Sequence, residues 1–287
     1  MRNVFLYSFW TGIAQWRVSA IAYFFQWCLA LTLGMQAHSV LESSIGQSLE
    51  INKLLTNYDH TVITDFLKVH GASITPLIGQ LRWLLLTWLL FSVFINAGML
   101  FCVSGEPKTT KSSGRNFWQG GAEYFFPFLK ICLLFLSFTL VWTVLIWLPV
   151  ALFFQRLLEY FPSEKYFVWI IIGLLVIYLG GLAVLFLWSV ISRLIRINAK
   201  ASITKSIVSG WKVFWRNKRD YLGFIAGFLG IQLVFLAIYW LLEAFTGMTS
   251  PGLILFLFMV QQVFVFFRIQ IRQMMYVGIS RLAQLVA

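Results

Sequence analysis

The chain has 287 residues, 60% of them hydrophobic and only 11% charged. A soluble domain carries about 25% charged residues and has no core large enough to hide so much apolar surface, so composition excludes a water-soluble globular protein and makes lipid part of the solvent. The formal charge of +12 is not read as a nucleic-acid signal, because the basic residues flank apolar runs, where a cation beside an anionic leaflet gains about 1 kcal/mol.

An apolar run of about 20 residues crosses the hydrocarbon core as a helix. Six runs qualify: residues 18–35, 81–103, 125–153, 166–192, 221–242 and 253–274. The predicted fold class is an all-α membrane protein with six transmembrane helices, a single polytopic domain over residues 1–287. The third and fourth runs exceed the membrane thickness and are expected to tilt or protrude. Trp16, Trp83, Tyr124, Tyr166, Trp215 and Tyr221 stand at run ends, where amphipathic rings anchor at headgroup level. The N-terminus does not read as a cleaved signal, since Arg17 breaks its apolar residues and the run that follows is long enough to span.

Charge alternates between the gaps. Residues 36–80 hold Glu42, Glu50, Asp59 and Asp65 against Lys53 and Lys68. Residues 193–220 hold Arg193, Arg196, Lys200, Lys205, Lys212, Arg216, Lys218 and Arg219 against Asp220 alone. Basic loops stay inside. The first gap is therefore predicted to be extracytoplasmic, and the second cytoplasmic. Both termini, with Arg2, Arg17, Arg272 and Arg281, are placed on the cytoplasmic side of a bacterial inner membrane. Val40, Leu41, Ile45, Leu49 and Leu54 recur near helical spacing, which predicts that the first span continues outward as a helix. Asp59 is placed to cap a second helix that stops at Gly71, and Pro76 then opens the approach to span two. The remaining outer turns, FPSEKY and TGMTSPG, are too short for a domain, and the inner linker GEPKTTKSSGR is polar and basic.

The inner gaps share a pattern: FWTGIAQWR, FWQGGAEYF and IVSGWKVFW align on Gly12, Gly120 and Gly210, each with an aromatic four residues later (Trp16, Tyr124, Phe214). The pattern predicts a threefold repeat of one unit: a short amphipathic helix on the inner surface, a bend, then a helical hairpin. Trp16, Arg17, Tyr124, Lys205, Lys212, Trp215, Arg216, Lys218 and Arg219 are the expected membrane-surface contacts, with anionic lipid as their partner.

Catalytic signatures are absent. There is no His-Glu-x-x-His, no Gly-x-Ser-x-Gly and no Gly-x-x-x-x-Gly-Lys. His38, His60 and His70 lack the i, i+4 spacing of helical zinc sites, so no metal or other cofactor is expected. The His60–Asp65 spacing, His-x4-Asp, is treated as a coincidence. Cys28, Cys102 and Cys132 lie in or beside apolar runs without Cys-x-x-Cys spacing, as small packing residues do.

The last span is the most polar inside. Gln261 and Gln262 fall about 12–15 Å in at helical rise, and Gln261, Arg268 and Arg272 share one helical face. Arg268 is read as snorkelling, as pairing with Glu123 or Asp220, or as holding a substrate or partner. Gln26, Gln232 and Gln261 are candidates for interhelical hydrogen bonds. Gly223, Gly227 and Gly230, and the pair Gly180–Gly181, suit close helix crossing.

KASITKSIVSGWKVFWRNKRDYLGF (200–224) leads a small, basic and aromatic helix into span five, and NFWQGGAEYFFPFLK (116–130) does the same before span three. In these features the chain resembles six-span bacterial membrane proteins related to the membrane domain fused to some glycerophosphodiester phosphodiesterases. The resemblance implies a fold and carries over no catalytic residue, since no hydrolase domain is present. The expected function is a non-enzymatic accessory or scaffold subunit of a membrane complex, with a protein partner or a second copy in the membrane. The alternative is a translocator of a lipid or amphiphile along a polar path of Gln26, Gln232, Gln261, Gln262, Arg268 and Arg272.

Overall fold

The computed structural model describes the backbone of residues 2–45, 60–104, 113–160, 164–246 and 251–286, and side chains within 3–39, 79–104, 113–153, 165–246 and 252–284. The described chain is helical with no strand. Eight helices follow in order: α1 (Arg2–Ala14), α2 (Trp16–Ile45), α3 (His60–Val103), α4 (Ser113–Tyr160), α5 (Glu164–Ala199), α6 (Ile203–Arg216), α7 (Lys218–Thr246) and α8 (Pro251–Val286). Six of them, α2, α3, α4, α5, α7 and α8, are long and apolar enough to cross a membrane. The protein is a multi-pass membrane protein, and each apolar run lies in its own helix.

Two compact units are present, Ile21–Ser92 and Met1–Ala20 with Val93–Ala287. In the smaller one, Phe25 of α2 and Phe91 of α3 bring ring centroids to 5.2 Å. Helix α2 continues to Ile45, as the spacing predicts. Helix α3 corrects the expected stop at Gly71, because it runs unbroken from His60 to Val103. A glycine costs a helix only about 1 kcal/mol relative to alanine, and the apolar sequence beyond it keeps its helical period. Asp59 lies outside the described residues, as does nearly all of the inner linker; no side chain of His60, Asp65 or His70 is described.

The larger unit is packed at one end of its helices and apolar outside at the other. The buried stretches are Val93–Cys102 late in α3, Phe117–Phe135 early in α4, Leu187–Ile197 late in α5, Tyr221–Phe228 early in α7 and Ile269–Leu282 late in α8. Beyond them the helices expose large apolar side chains, such as Leu140, Val141, Leu145, Leu148 and Leu152 of α4 and Val168, Trp169, Ile172 and Val176 of α5. An apolar surface on that scale needs hydrocarbon as its solvent. Helix α4 has 48 residues, about 72 Å at helical rise, against a hydrocarbon core of about 30 Å. Only its second half, through Phe153, presents a continuous lipid-facing surface, so the packed first half extends past the core.

Glycines set the helix spacing at the packed end. A Cβ on Gly120 would collide with Phe101 in α3, one on Gly12 with Met274 in α8, and one on Gly210 would lie 2.5 Å from Ser192 Oγ in α5. Each pattern glycine therefore closes on the packed end of span two, four or six. Bends follow two of them. At Gln15 the chain turns through Gln15 N–H to Gly12 O (3.1 Å), and at Asn217 through Asn217 N–H to Phe214 O (3.2 Å). The second pattern departs from expectation. No separate helix precedes span three, because α4 runs continuously from Ser113 and Gly120–Gly121 serve close packing on Phe101 and Phe94. Helix α1 differs too, since its polar and apolar residues are not gathered on opposite faces. Of the small residues expected at crossings, Gly181 meets Trp142, Gly227 makes ordinary contact with Phe5, and Gly180 and Gly230 meet nothing.

Candidate functional site

At the packed end, α1, α3 and α8 are joined by polar side chains in an apolar setting. Gln270 Nε2 donates to Gly12 O, and Gln273 Nε2 donates to Gln15 Oε1 at 2.6 Å. Tyr276 Oη donates to Asn96 Oδ1 at 2.8 Å, and Ser280 Oγ donates to Val103 O at 3.2 Å. Arg272 donates to Met99 Sδ at 3.6 Å. Gln270 and Gln273 are only 4% and 0% exposed, and one carbonyl oxygen of each has no partner. Beside this network, the Arg193 guanidinium lies 5.6 Å from the Phe128 ring centroid, near the Cys132 thiol and Tyr276. Its Nε, like that of Arg272, is buried without a hydrogen bond. In α8 the cluster straddles the expected end of span six, with Tyr276 and Ser280 beyond residue 274. The spacing of Gln270, Gln273 and Ser280 on one helical side was the available signal.

Helix α6 supplies the second feature. Its Ser206, Gly210 and Phe214 are buried, and Trp188 of α5 donates its indole N–H to Ile207 O at 2.9 Å. On the opposite side Lys205, Val208, Lys212, Trp215 and Arg216 are exposed. Lys218 Nζ sits 4.2 Å from the Trp215 ring centroid, and Trp211 and Trp215 rings lie 5.3 Å apart. The C-terminus of α5 is closed by Arg196, which donates to Lys200 O and Ala201 O around Lys200 at φ 46°. A cation at a helix C-terminus complements its carbonyls. Arg193 and Arg196 are thus helix residues with packing partners, not loop charges.

The expected residues separate accordingly. Trp16 and Arg17 are exposed, with the guanidinium 6.0 Å from the indole centroid, and Arg219 is exposed beside Lys218. Tyr124 is a correction: at 5% exposure it packs on Phe101 at 5.9 Å and Phe128 at 6.0 Å, because its helix turns that side toward α3. In span six Gln261 and Arg268 are exposed, while Gln262 and Arg272 are half-buried. Gln232 is half-buried and forms no hydrogen bond with Gln261. Gln26 is half-buried in the smaller unit. Among the described residues no ion pair joins Arg268 to Glu123 or Asp220, both of which are exposed.

Comparison with protein-family models, curated proteins and solved structures gives no match. The likeness to the phosphodiesterase-linked membrane domain draws no support from them.

Proposed function

We propose that this chain is a non-enzymatic accessory or scaffold subunit of a bacterial inner-membrane complex, with its packed end and both termini in the cytoplasm. Helix α6 carries the reading. It buries one narrow face and leaves a basic, aromatic face exposed beside the membrane-spanning segments. Cations alternating with tryptophan suit an acidic protein segment or anionic headgroups.

The subunit reading predicts a stoichiometric protein companion in native mass spectrometry after mild extraction from the source membrane. The triple change Lys212→Glu, Arg216→Glu and Lys218→Glu is expected to release the companion while leaving the thermal midpoint within about 2 °C, since surface changes stay within ±0.5 kcal/mol. A companion retained undiminished would remove α6 from the interface, and a lone chain would overturn the subunit reading.

Orientation is checked separately. Ser209 is exposed on α6. In a background lacking the native cysteines, Ser209→Cys is expected to react with a membrane-impermeant maleimide only after the cells are opened. Labelling of intact spheroplasts would reverse the orientation.

A further inference from the structure

A cleft of about 220 Å³ opens at the packed end between α1, the end of α3 and the last turns of α8, and most of its surface is polar. Tyr7, Thr11 and Gln15 line it from α1. Spaced four residues apart, they share one helical face. Ser280, Arg281 and Gln284 line it from α8. In a chain that is 60% hydrophobic, six polar side chains gathered on one cleft suit a polar occupant, and the volume is several times the roughly 30 Å³ share of one water.

Two of the six are tied into the protein. Ser280 Oγ donates to Val103 O at 3.2 Å and joins the α8 wall to the end of α3. Gln15 Oε1 accepts from the fully buried Gln273 at 2.6 Å, which leaves the Gln15 NH2 group as a donor. Among the described residues the Tyr7 and Thr11 hydroxyls and the Gln284 amide make no hydrogen bond. The Arg281 guanidinium lies 5.4 Å from the Tyr7 ring centroid and has no ion-pair partner there. No carboxylate lines the cleft. Its one formal charge is positive and its free groups are chiefly donors, which selects an anion. The donors come from two helices, so the anion must accept from more than one direction. A tetrahedral phosphate does so, whereas a carboxylate presents its lone pairs in one plane, and arginine binds phosphate through short, charge-assisted hydrogen bonds.

We propose that this cleft binds one phosphate group, carried by a small solute or by a lipid headgroup. Arg281, seated on the Tyr7 ring, supplies the charge from α8, and Thr11 and Gln15 donate from α1. The site is independent of the α6 surface and stands whether or not a protein companion exists.

The test uses the delipidated full-length protein in detergent and has two arms. In the first, the thermal midpoint is followed with glycerol 3-phosphate, glycerol or acetate at equal concentration. In the second, native mass spectrometry counts retained phosphatidic acid or diacylglycerol with identical acyl chains. Wild type is expected to respond to a phosphate-bearing probe and not to its phosphate-free counterparts. A response to glycerol 3-phosphate alone names a solute as the source, one to phosphatidic acid alone names the lipid, and both together make the phosphate itself the recognised group. Arg281→Gln is expected to weaken binding about tenfold or more, with its ligand-free midpoint unchanged because the residue is exposed. Thr11→Val is expected to weaken it less. Arg216→Gln, which removes an exposed cation from α6, is expected to bind as wild type does, and any general salting effect of phosphate acts on all variants alike. No response to either phosphate probe, an equal response to the phosphate-free probes, or undiminished binding by Arg281→Gln overturns the proposal.

Discussion

Gly98→Leu and Gly120→Leu are each expected to abolish the folded protein, whereas Gly180→Leu leaves it intact. A Cβ on Gly98 would stand 2.7 Å from Phe117 O, a backbone atom, and 2.6 Å from the Phe117 ring. Phe117 is fully buried and has nowhere to move. On Gly120 the added carbon would meet Phe101 at its own Cβ, close to the main chain, where no rotamer change relieves the overlap. Overpacking by a few carbons costs about 1–3 kcal/mol where neighbours yield. Here the α3–α4 contact must open, and native stabilities total only about 5–15 kcal/mol. Gly180 has nothing within 4 Å, so its substitution adds apolar surface toward lipid. The readouts are monodispersity on extraction and the thermal midpoint. Equal loss in all three variants would mean that helix flexibility, not close approach, explains the glycines.

These contacts also show what the sequence displayed and what it hid. The spans were legible because hydrophobic run length is a one-dimensional property with a physical threshold set by the bilayer. The glycine pattern marked real close approaches at Gly12, Gly120 and Gly210. The bend expected between short helix and span occurs at Gln15 and Asn217 and is missing before span three, because a helical glycine that faces a neighbour looks the same in sequence as one that precedes a turn. Tyr124 was read as an interface anchor for a similar reason. A tyrosine at a span end is equally suited to headgroups and to a helix contact, and only the direction of its face decides. The polar network of Gln15, Asn96, Gln270 and Gln273 stayed hidden because its partners lie up to 258 residues apart. The polar stripe expected on span six was set by helical phase alone, and phase cannot say which side meets lipid.

Arg193→Met is expected to raise the thermal midpoint, although Arg193 is only half-buried. The guanidinium stays protonated, and among the described residues no carboxylate pairs with it. Its partners are the Phe128 ring at 5.6 Å and the neighbouring Cys132 thiol and Tyr276, while Nε has none. A desolvated cation–π contact contributes about 2 kcal/mol. Shielding an ion from water costs several kcal/mol when complete, and here Nε is shielded with no partner, so the balance leans against the charge. Methionine keeps most of the volume, retains contact with the aromatic ring through sulfur and removes the partly shielded charge. Replacing buried ionic groups with apolar residues of similar volume often gains about 1–4 kcal/mol, a few degrees in a protein of this size. Arg193→Glu serves as the opposite control: it places a carboxylate against the negative face of Phe128 and is expected to prevent folding. If Arg193→Met instead lowers the midpoint in lipid but not after delipidation, the cation has an anionic partner supplied by the membrane. A half-buried arginine kept at such a cost in a membrane protein would then mark a working part of the site, not a tolerated defect.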